Sequence, residues 1–284
     1  MDAPFPTPFA PLLARLGDGA AWLQQAAAAI AADRRELAVA FPQLPRRLGR
    51  SALAPDATGS AVETVGPARC DLAGWRRCDA GAALLLAGAA VTDDELRDLY
   101  AHGDLEERVM VLRALATLPV TAATADLLGE VQRTNMVLHV EAAVCDSDLL
   151  VRAAGAGVRG FGTAEQNALL LKVAFLDLPA ARVFDAATRA NPELSRMLQD
   201  LATEREAAGR AIWRDTDRFL CRAPVPGSVA RILGGLEHGD DGRRQAAAEA
   251  LAALNRPELR PFAQERLPRE PRPAIRAVLQ RVTR

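Results

Sequence analysis

A chain of 284 residues is long enough to bury roughly three quarters of its unfolded surface, as one elongated domain or as two compact ones. Half of it is hydrophobic, dominated by Ala and Leu, and only 4% is aromatic, a composition that favours helix over sheet. With 35 basic against 36 acidic residues the formal charge is -1, so no excess is available to neutralise a phosphate backbone, and nucleic-acid binding is excluded.

Thr7-Pro8 predicts a cap with proline at the first helical position, and Asp18 predicts the start of a second helix running through the alanines to about Val39. From Phe41 to Pro67, prolines, glycines and small polar residues interrupt every periodic pattern. That stretch reads as a long loop with at most a short helix, a candidate disordered or binding segment. Asp71 to about Ala90 predicts a strongly apolar helix, and Thr92-Asp93-Asp94-Glu95 is a capping box for the next. Gly103-Asp104 opens a helix with Leu105, Val109, Leu112 and Ala116 on one face, stopped by Pro119. Helical signals continue from Thr121 to Cys145, break at Gly155–Gly162, and resume behind a second capping box, Thr163-Ala164-Glu165-Gln166. A shorter helix is expected from Pro179 to Ala190. Asn191-Pro192-Glu193 then supplies cap, first-turn proline and first-turn acid for a long helix closed by Gly209. Arg222–Gly227 reads as a linker. These signals divide the chain into a main helical domain over 1–221, carrying the loop 41–67, and a C-terminal module over 228–284 cut short by repeated prolines.

One pattern recurs. Gly103-Asp104, with Arg108 and Ala114-Leu115-Ala116-Thr117-Leu118, aligns with Gly239-Asp240, Arg244 and Ala250-Leu251-Ala252-Ala253-Leu254. The order is that of a helix start, its solvated first turns and its buried stripe, so the fold expected is all-α, a HEAT-like helical repeat or α-solenoid-type bundle.

Signals for chemistry are sparse. Cys70, Cys78, Cys145 and Cys221 are widely spaced, with no C-x-x-C pair and no His at ligand spacing, which reads as buried free thiols rather than a metal or disulfide set. His102, His139 and His238 stand far apart, and no metal site is expected. Gly155-Ala156-Gly157-Val158-Arg159-Gly160 satisfies G-x-G-x-x-G, with Asp177 where a ribose-binding acid would fall. The motif requires a strand feeding the glycines, and a flexible loop between helices is the simpler reading. Lys172 is the only lysine in the chain. Arg133, Asn135, His139 and Glu141 break an apolar background, with Asn135 and His139 sharing a face at i, i+4. Arg196, Asp200 and Glu204 follow one another at i, i+4 with Arg205 beside them, as a solvated ladder or as a stripe facing a cleft. Met1-Asp2-Ala3-Pro4-Phe5-Pro6 lacks the basic start and apolar run of a signal peptide, and no stretch is apolar enough to span a membrane; a cytoplasmic protein is expected.

Several of these segments resemble the EboA family of bacterial proteins. The resemblance is carried by Asp104-Leu105-Glu106-Glu107-Arg108 with Met110–Leu115, by Arg133-Thr134-Asn135 with Glu141-Ala142 and Cys145, by Asn167 with Leu171-Lys172, and by Asn191–Leu194 through Arg196-Met197, Asp200, Glu204-Arg205 and Ala207–Arg210. The chain departs from the family pattern at the glycine-rich Asp146–Gly162 and at Gln166-Asn167-Ala168, where an aromatic-Asn-Gln triplet is expected. The resemblance implies a cytoplasmic protein, peripheral to the inner membrane, that helps move a natural-product precursor toward the cell envelope. It also implies partners from the same gene cluster, among them a UbiA-type membrane prenyltransferase. It supplies no reaction and no cofactor. The expected function is therefore a non-enzymatic adaptor or binding protein for a small-molecule metabolite or precursor, using Arg133, Asn135, Glu141, Asn167, Lys172, Arg196, Asp200, Glu204 and Arg205. The alternative is an enzyme working through a buried Arg/Asn/Glu/Lys site, which requires a carboxyl or amine of strongly shifted pKa in a closed pocket.

Overall fold

A computed structural model describes residues 5–56 and 61–284. Met1–Pro4, on which the absence of a leader was read, and residues 57–60 of the segment 41–67 lie outside the described residues. The described chain is mostly helical, with one two-stranded sheet. It divides into two compact units, residues 1–169 with 182–184, and residues 170–181 with 185–284.

The first unit contains α1 (Ala10–Leu16), α2 (Gly19–Ala32), α3 (Glu36–Ala40), α4 (Leu44–Leu48), β1 (Val62–Val65), β2 (Ala68–Asp71), α5 (Arg77–Gly88), α6 (Asp93–His102), α7 (Leu105–Leu115), α8 (Ala122–Arg133), α9 (Val137–Val144) and α10 (Leu149–Gly155); α11 (Thr163–Phe175) begins in it. Cys78–Leu86 of α5 and Val109–Leu115 of α7 are buried on every side, and the two helices pack against each other as the centre of the unit. Small residues allow this: Ala80, Gly81, Ala82 and Ala83 let neighbours approach closely, and a Cβ on Gly81 would run into the Leu48 side chain of α4. α1, α2 and α4 cover α5, while α6 and α9 cover α7 and α8 packs on both of those.

Several expected boundaries move, each for a local reason. The helix expected from Asp18 to Val39 stops at Ala32, because the Asp33 carboxylate accepts the backbone N–H of Arg35 at 3.0 Å and turns the chain into α3. The helical stretch Thr121–Cys145 splits into α8 and α9 in the same way, with the Thr134 hydroxyl accepting the N–H of Met136 at 3.1 Å. Asp71 opens only a 3-10 turn, Leu72–Gly74, and the α-helix expected from it begins at Arg77. Asp71 also ends β2, and its carboxylate accepts the N–H groups of Ala61 and Ala73. Thr163 is not a cap either: Glu165 reaches back to the N–H of Gly162 at 2.9 Å, one residue earlier than expected. Thr7-Pro8 forms a short 3-10 turn over Thr7–Phe9, and the stretch from Pro179 to Ala190 holds two more, Ala180–Arg182 and Ala186–Arg189, in place of a helix. The segment 41–67 contains α4 and β1, so it is more ordered than a loop. The hairpin pairs Val62 with Asp71 and Val65 with Ala68, turning at Gly66 (φ +57°).

The end of α5 predicts a stability change. Val91 N–H bonds to Leu86 O at 3.2 Å and Ala90 N–H to Ala87 O at 3.1 Å, the pattern of a helix terminus that requires a left-handed residue, and Ala90 fills it at φ +45°. Ala90→Gly is expected to stabilise the protein by about 0.5–1 kcal/mol, the left-handed penalty less the extra unfolded-state freedom of glycine. A urea midpoint that falls instead of rising would refute this.

The second unit holds the end of α11 with α12 (Pro192–Ala207), α13 (Thr216–Leu220), α14 (Ser228–Leu236), α15 (Asp241–Leu254), α16 (Arg260–Arg266) and α17 (Pro273–Thr283). Asn191 caps α12 as expected, its Oδ1 accepting the N–H of Leu194 at 3.0 Å, and Gly209 at φ +66° closes it. α15 packs on α13, α14 and α17 around Ile232, Leu236, Leu251 and Leu279.

The recurring Gly-Asp corner takes the same form in both units. Asp104 accepts the N–H of Glu107 at 2.9 Å and Asp240 that of Arg243 at 2.8 Å, so both aspartates cap their helices. Four residues on, Arg108 forks to the carbonyls of Gly103 and Ala101, both at 3.0 Å, and Arg244 to those of Gly239 and His238, both at 2.9 Å. Each guanidinium thereby satisfies carbonyls at the corner; Arg108 does so from two nitrogens, Nε and Nη2, a spread that a lysine cannot reproduce, and Arg244 from Nη1.

Arg244 has a second role. With Arg266 and the N–H of Arg272 it surrounds Glu270, which is 2% exposed. Burial pushes the Glu270 carboxyl up, but these donors outweigh it and hold the group down at about 2. A depressed folded-state pKa contributes stability above the unfolded value, about 4.3, and loses it as pH falls through the folded value. Stability should therefore decline from about pH 4.5 toward pH 2, and Glu270→Gln should flatten that limb in acid titrations followed by circular dichroism.

Candidate functional site

The first unit encloses a charged network that no local sequence pattern announces. Arg113 of α7 is 5% exposed and donates from Nη1 to Asp146 Oδ2 and to the Cys145 carbonyl, each at 3.2 Å, while its guanidinium lies 5.8 Å from the centre of the Trp75 ring. Arg182 grips the same carboxylate from the other side, Nε to Oδ1 at 3.0 Å and Nη2 to Oδ2 at 2.7 Å, and also donates to Glu141. Asp146 sits at φ +62°, its N–H bonded to Arg182 O at 2.7 Å and its carbonyl taking the N–H of Asp71 at 2.8 Å. β2 is thus tied to the turn after α9. Gly74 is required here, since a Cβ on it would meet the Asp146 carboxylate. Arg113 Nε and Trp75 Nε1 are buried without a hydrogen-bond partner among the described residues.

Both oxygens of the Asp146 carboxylate are taken up by guanidinium bonds and the side chain is buried, so it presents no open group to a ligand. The neighbouring thiols are equally unreactive: burial pushes Cys70 and Cys145 up to about 12 and Cys78 up to about 11, so the nucleophilic thiolate is scarce near neutral pH. Burial likewise holds the His139 imidazole below its usual range.

A cleft of about 620 Å³ opens beside α6 and α8, lined by Arg97, Arg108, Arg133 and Tyr100 together with Asp126 and Glu130. Arg133 pairs with Glu130, Arg97 with Asp126 at 2.9 Å, and Arg108 stands 5.4 Å over the Tyr100 ring.

The other expected site residues are placed as follows. Asn135 is exposed in the break before α9, so the i, i+4 face shared with His139 does not form. Glu141 belongs to the buried network through Arg182. Asn167 is 2% exposed on α11, and Lys172 lies 5.6 Å from the Phe175 ring. On α12, Arg196, Asp200 and Glu204 are exposed. The expected ladder is replaced by a bond from Arg196 to Glu193 at 2.7 Å and a looser contact of Glu204 with Arg210 at 3.7 Å. Arg205 is buried and bonds Asp177 at 2.8 Å, the Phe175 carbonyl at 2.7 Å and the Ala211 carbonyl at 3.2 Å. Within the first unit, then, Arg133 reaches the cleft while Glu141 joins a different cluster. Asp146, Arg182 and Trp75 were missed. The glycine motif follows the helix α10, with no strand feeding it, and Asp177 serves Arg205, so the dinucleotide reading is excluded. Among the described residues no group of three His, Cys, Asp or Glu side chains is placed to hold a metal ion.

Capped helix pairs with arginine-closed corners, buried protonated thiols and arginine-saturated carboxylates define a helical scaffold with concave recesses. The chain belongs to the EboA family, described as metabolite traffic proteins: the family model matches residues 15–220, well over half of its length. No curated protein and no solved structure matches the chain. Among the described residues no helix is long and apolar enough to cross a membrane.

Proposed function

We propose that this protein is a non-enzymatic adaptor or binding protein that carries a small-molecule precursor within a metabolite-traffic system. The observation that carries the reading is the engagement of both carboxylates of the buried network by guanidinium groups, Asp146 by two arginines and Glu141 by one, beside thiols held protonated. Such groups hold a shape and leave acid-base work without a poised donor or acceptor. The Gly-Asp corners are proposed to build HEAT-like repeats, and the exposed members of the candidate set, Arg133, Asn135, Arg196, Asp200 and Glu204, to meet partner proteins such as a UbiA-type prenyltransferase at the cytoplasmic face of the membrane. Glu141 and Asn167 are assigned to the scaffold of the first unit, and Lys172 and Arg205 to that of the second.

Native mass spectrometry of the full chain, purified from cells expressing its gene cluster, tests the carrier role. A small molecule that leaves unchanged on denaturation supports it, whereas catalytic conversion of that molecule by the purified protein overturns it in favour of the enzyme reading.

A further inference from the structure

The first unit contains a second recess of a different character from the arginine cleft. Its volume is about 500 Å³, within the range of small-molecule sites. Pro6, Pro8 and Phe9, then Leu86, Leu96 and Leu118, and the hairpin tip at Gly66-Pro67 all line it. The walls are stiff. Gly66 donates its N–H to Pro8 O at 3.2 Å, and a Cβ there would strike the Thr117 carbonyl and the Phe9 ring, so the tip is pressed onto both sides. Prolines with fixed φ line the rest, which lowers the entropy lost on closing around a ligand.

Three polar residues are among this apolar lining, Asp93, Thr117 and Thr121, and the Thr117 hydroxyl is already spent on the Ala114 carbonyl at 2.8 Å. Asp93, at the start of α6, is the one charged residue among the described lining residues; its Oδ2 accepts the Ala123 N–H at 3.1 Å. Thr121, before α8, also lines the recess, and its Oγ1 is buried with no hydrogen-bond partner among the described residues. A buried hydroxyl left without a partner costs free energy that a bound group can recover. The Asp93 carboxylate beside it, offset only by Arg97 at 3.8 Å, disfavours an anion.

We propose that this groove is the seat of the carried molecule: a compact, mostly apolar metabolite bearing one hydroxyl or amine head, which meets Thr121 Oγ1 and Asp93 while its body lies against the prolines and leucines. The assignment rests on the carrier reading above and adds to it where the cargo sits and what chemistry it has. The concave shape and the orphaned hydroxyl favour a small molecule over a peptide strand or a second copy of the chain, neither of which is needed to fill such a volume.

The test uses the full chain and the neutral dye N-phenylnaphthylamine, an apolar body with a single N–H. Saturable one-to-one binding is expected, weakened at least about tenfold by Ala87→Trp, which fills the groove from α5, and about threefold by Thr121→Val, which keeps its shape. Because Ala87→Trp can perturb folding, a Val91→Cys variant is alkylated with N-phenylmaleimide after purification. The four native thiols are buried, so only the introduced one reacts, and the dye should protect it. Dye binding untouched by both Ala87→Trp and alkylation overturns the groove assignment. If the same blocked proteins still retain a cell-derived small molecule, the carrier reading survives and the site lies elsewhere. If the unmodified protein binds neither dye nor any cell-derived molecule, both fail. A groove found filled by a second copy, seen as a doubling of mass that Val91→Cys alkylation abolishes, also overturns the proposal.

Discussion

Asp146→Asn is expected to destabilise the protein by about 3 kcal/mol, because it leaves the Arg113 guanidinium buried at 5% exposure without its carboxylate. Asparagine tolerates the left-handed backbone that Asp146 adopts, so the loss reports charge and not strain. For a chain of this size the melting temperature should fall by roughly 6–12 °C. Arg113→Met should cost less, since Asp146 keeps both bonds from Arg182. The double variant Arg113→Met/Asp146→Asn should then lie well above the sum of the singles, the coupling expected of groups in one network. Additive losses would show that the cluster is not a unit.

Trp213→Ala is the second large effect, and it arises from packing. Trp213 is 1% exposed, its ring centre lies 5.5 Å from that of Phe219, and its Nε1 donates to the Leu178 carbonyl at 2.8 Å. Removing the ring opens a cavity worth about 3–5 kcal/mol and also strands a buried carbonyl. Trp213→Phe keeps most of the packing and should cost only about 1–2 kcal/mol, chiefly the hydrogen bond. Denaturant curves for the two variants separate the contributions; equal losses would mean that the indole N–H, and not the ring volume, holds this corner.

The helical class was legible in the sequence because it depends on local signals. The caps at Asp104, Asn191 and Asp240 and the closing Gly209 are written in residues within one turn of the helix end. Where Asp33 and Thr134 end helices, the same short side chains could equally have sat on a solvated face, and only the backbone reveals the choice. β1 was hidden because Val62-Glu63-Thr64-Val65 is too short for alternation to show, and its pairing depends on a turn inside a stretch rich in breakers. The charged network was invisible for a stronger reason: Trp75, Arg113, Asp146 and Arg182 are brought together from four places in the chain, and nothing near any one of them marks its partners. On α12 Arg196, Asp200 and Glu204 are exposed, but their i, i+4 spacing cannot say that Arg205 beside them turns inward; burial does.

The two Gly-Asp corners bear on how the molecule comes to be made. Each is fastened by an arginine to carbonyls no more than about seven residues behind it, so little chain entropy is lost in closing it, and such a loop forms in tens of nanoseconds. A nascent chain leaving the ribosome can therefore set the change of direction at each corner before the later helices that complete the packing, α9 against α7 and α17 against α15, have been synthesised.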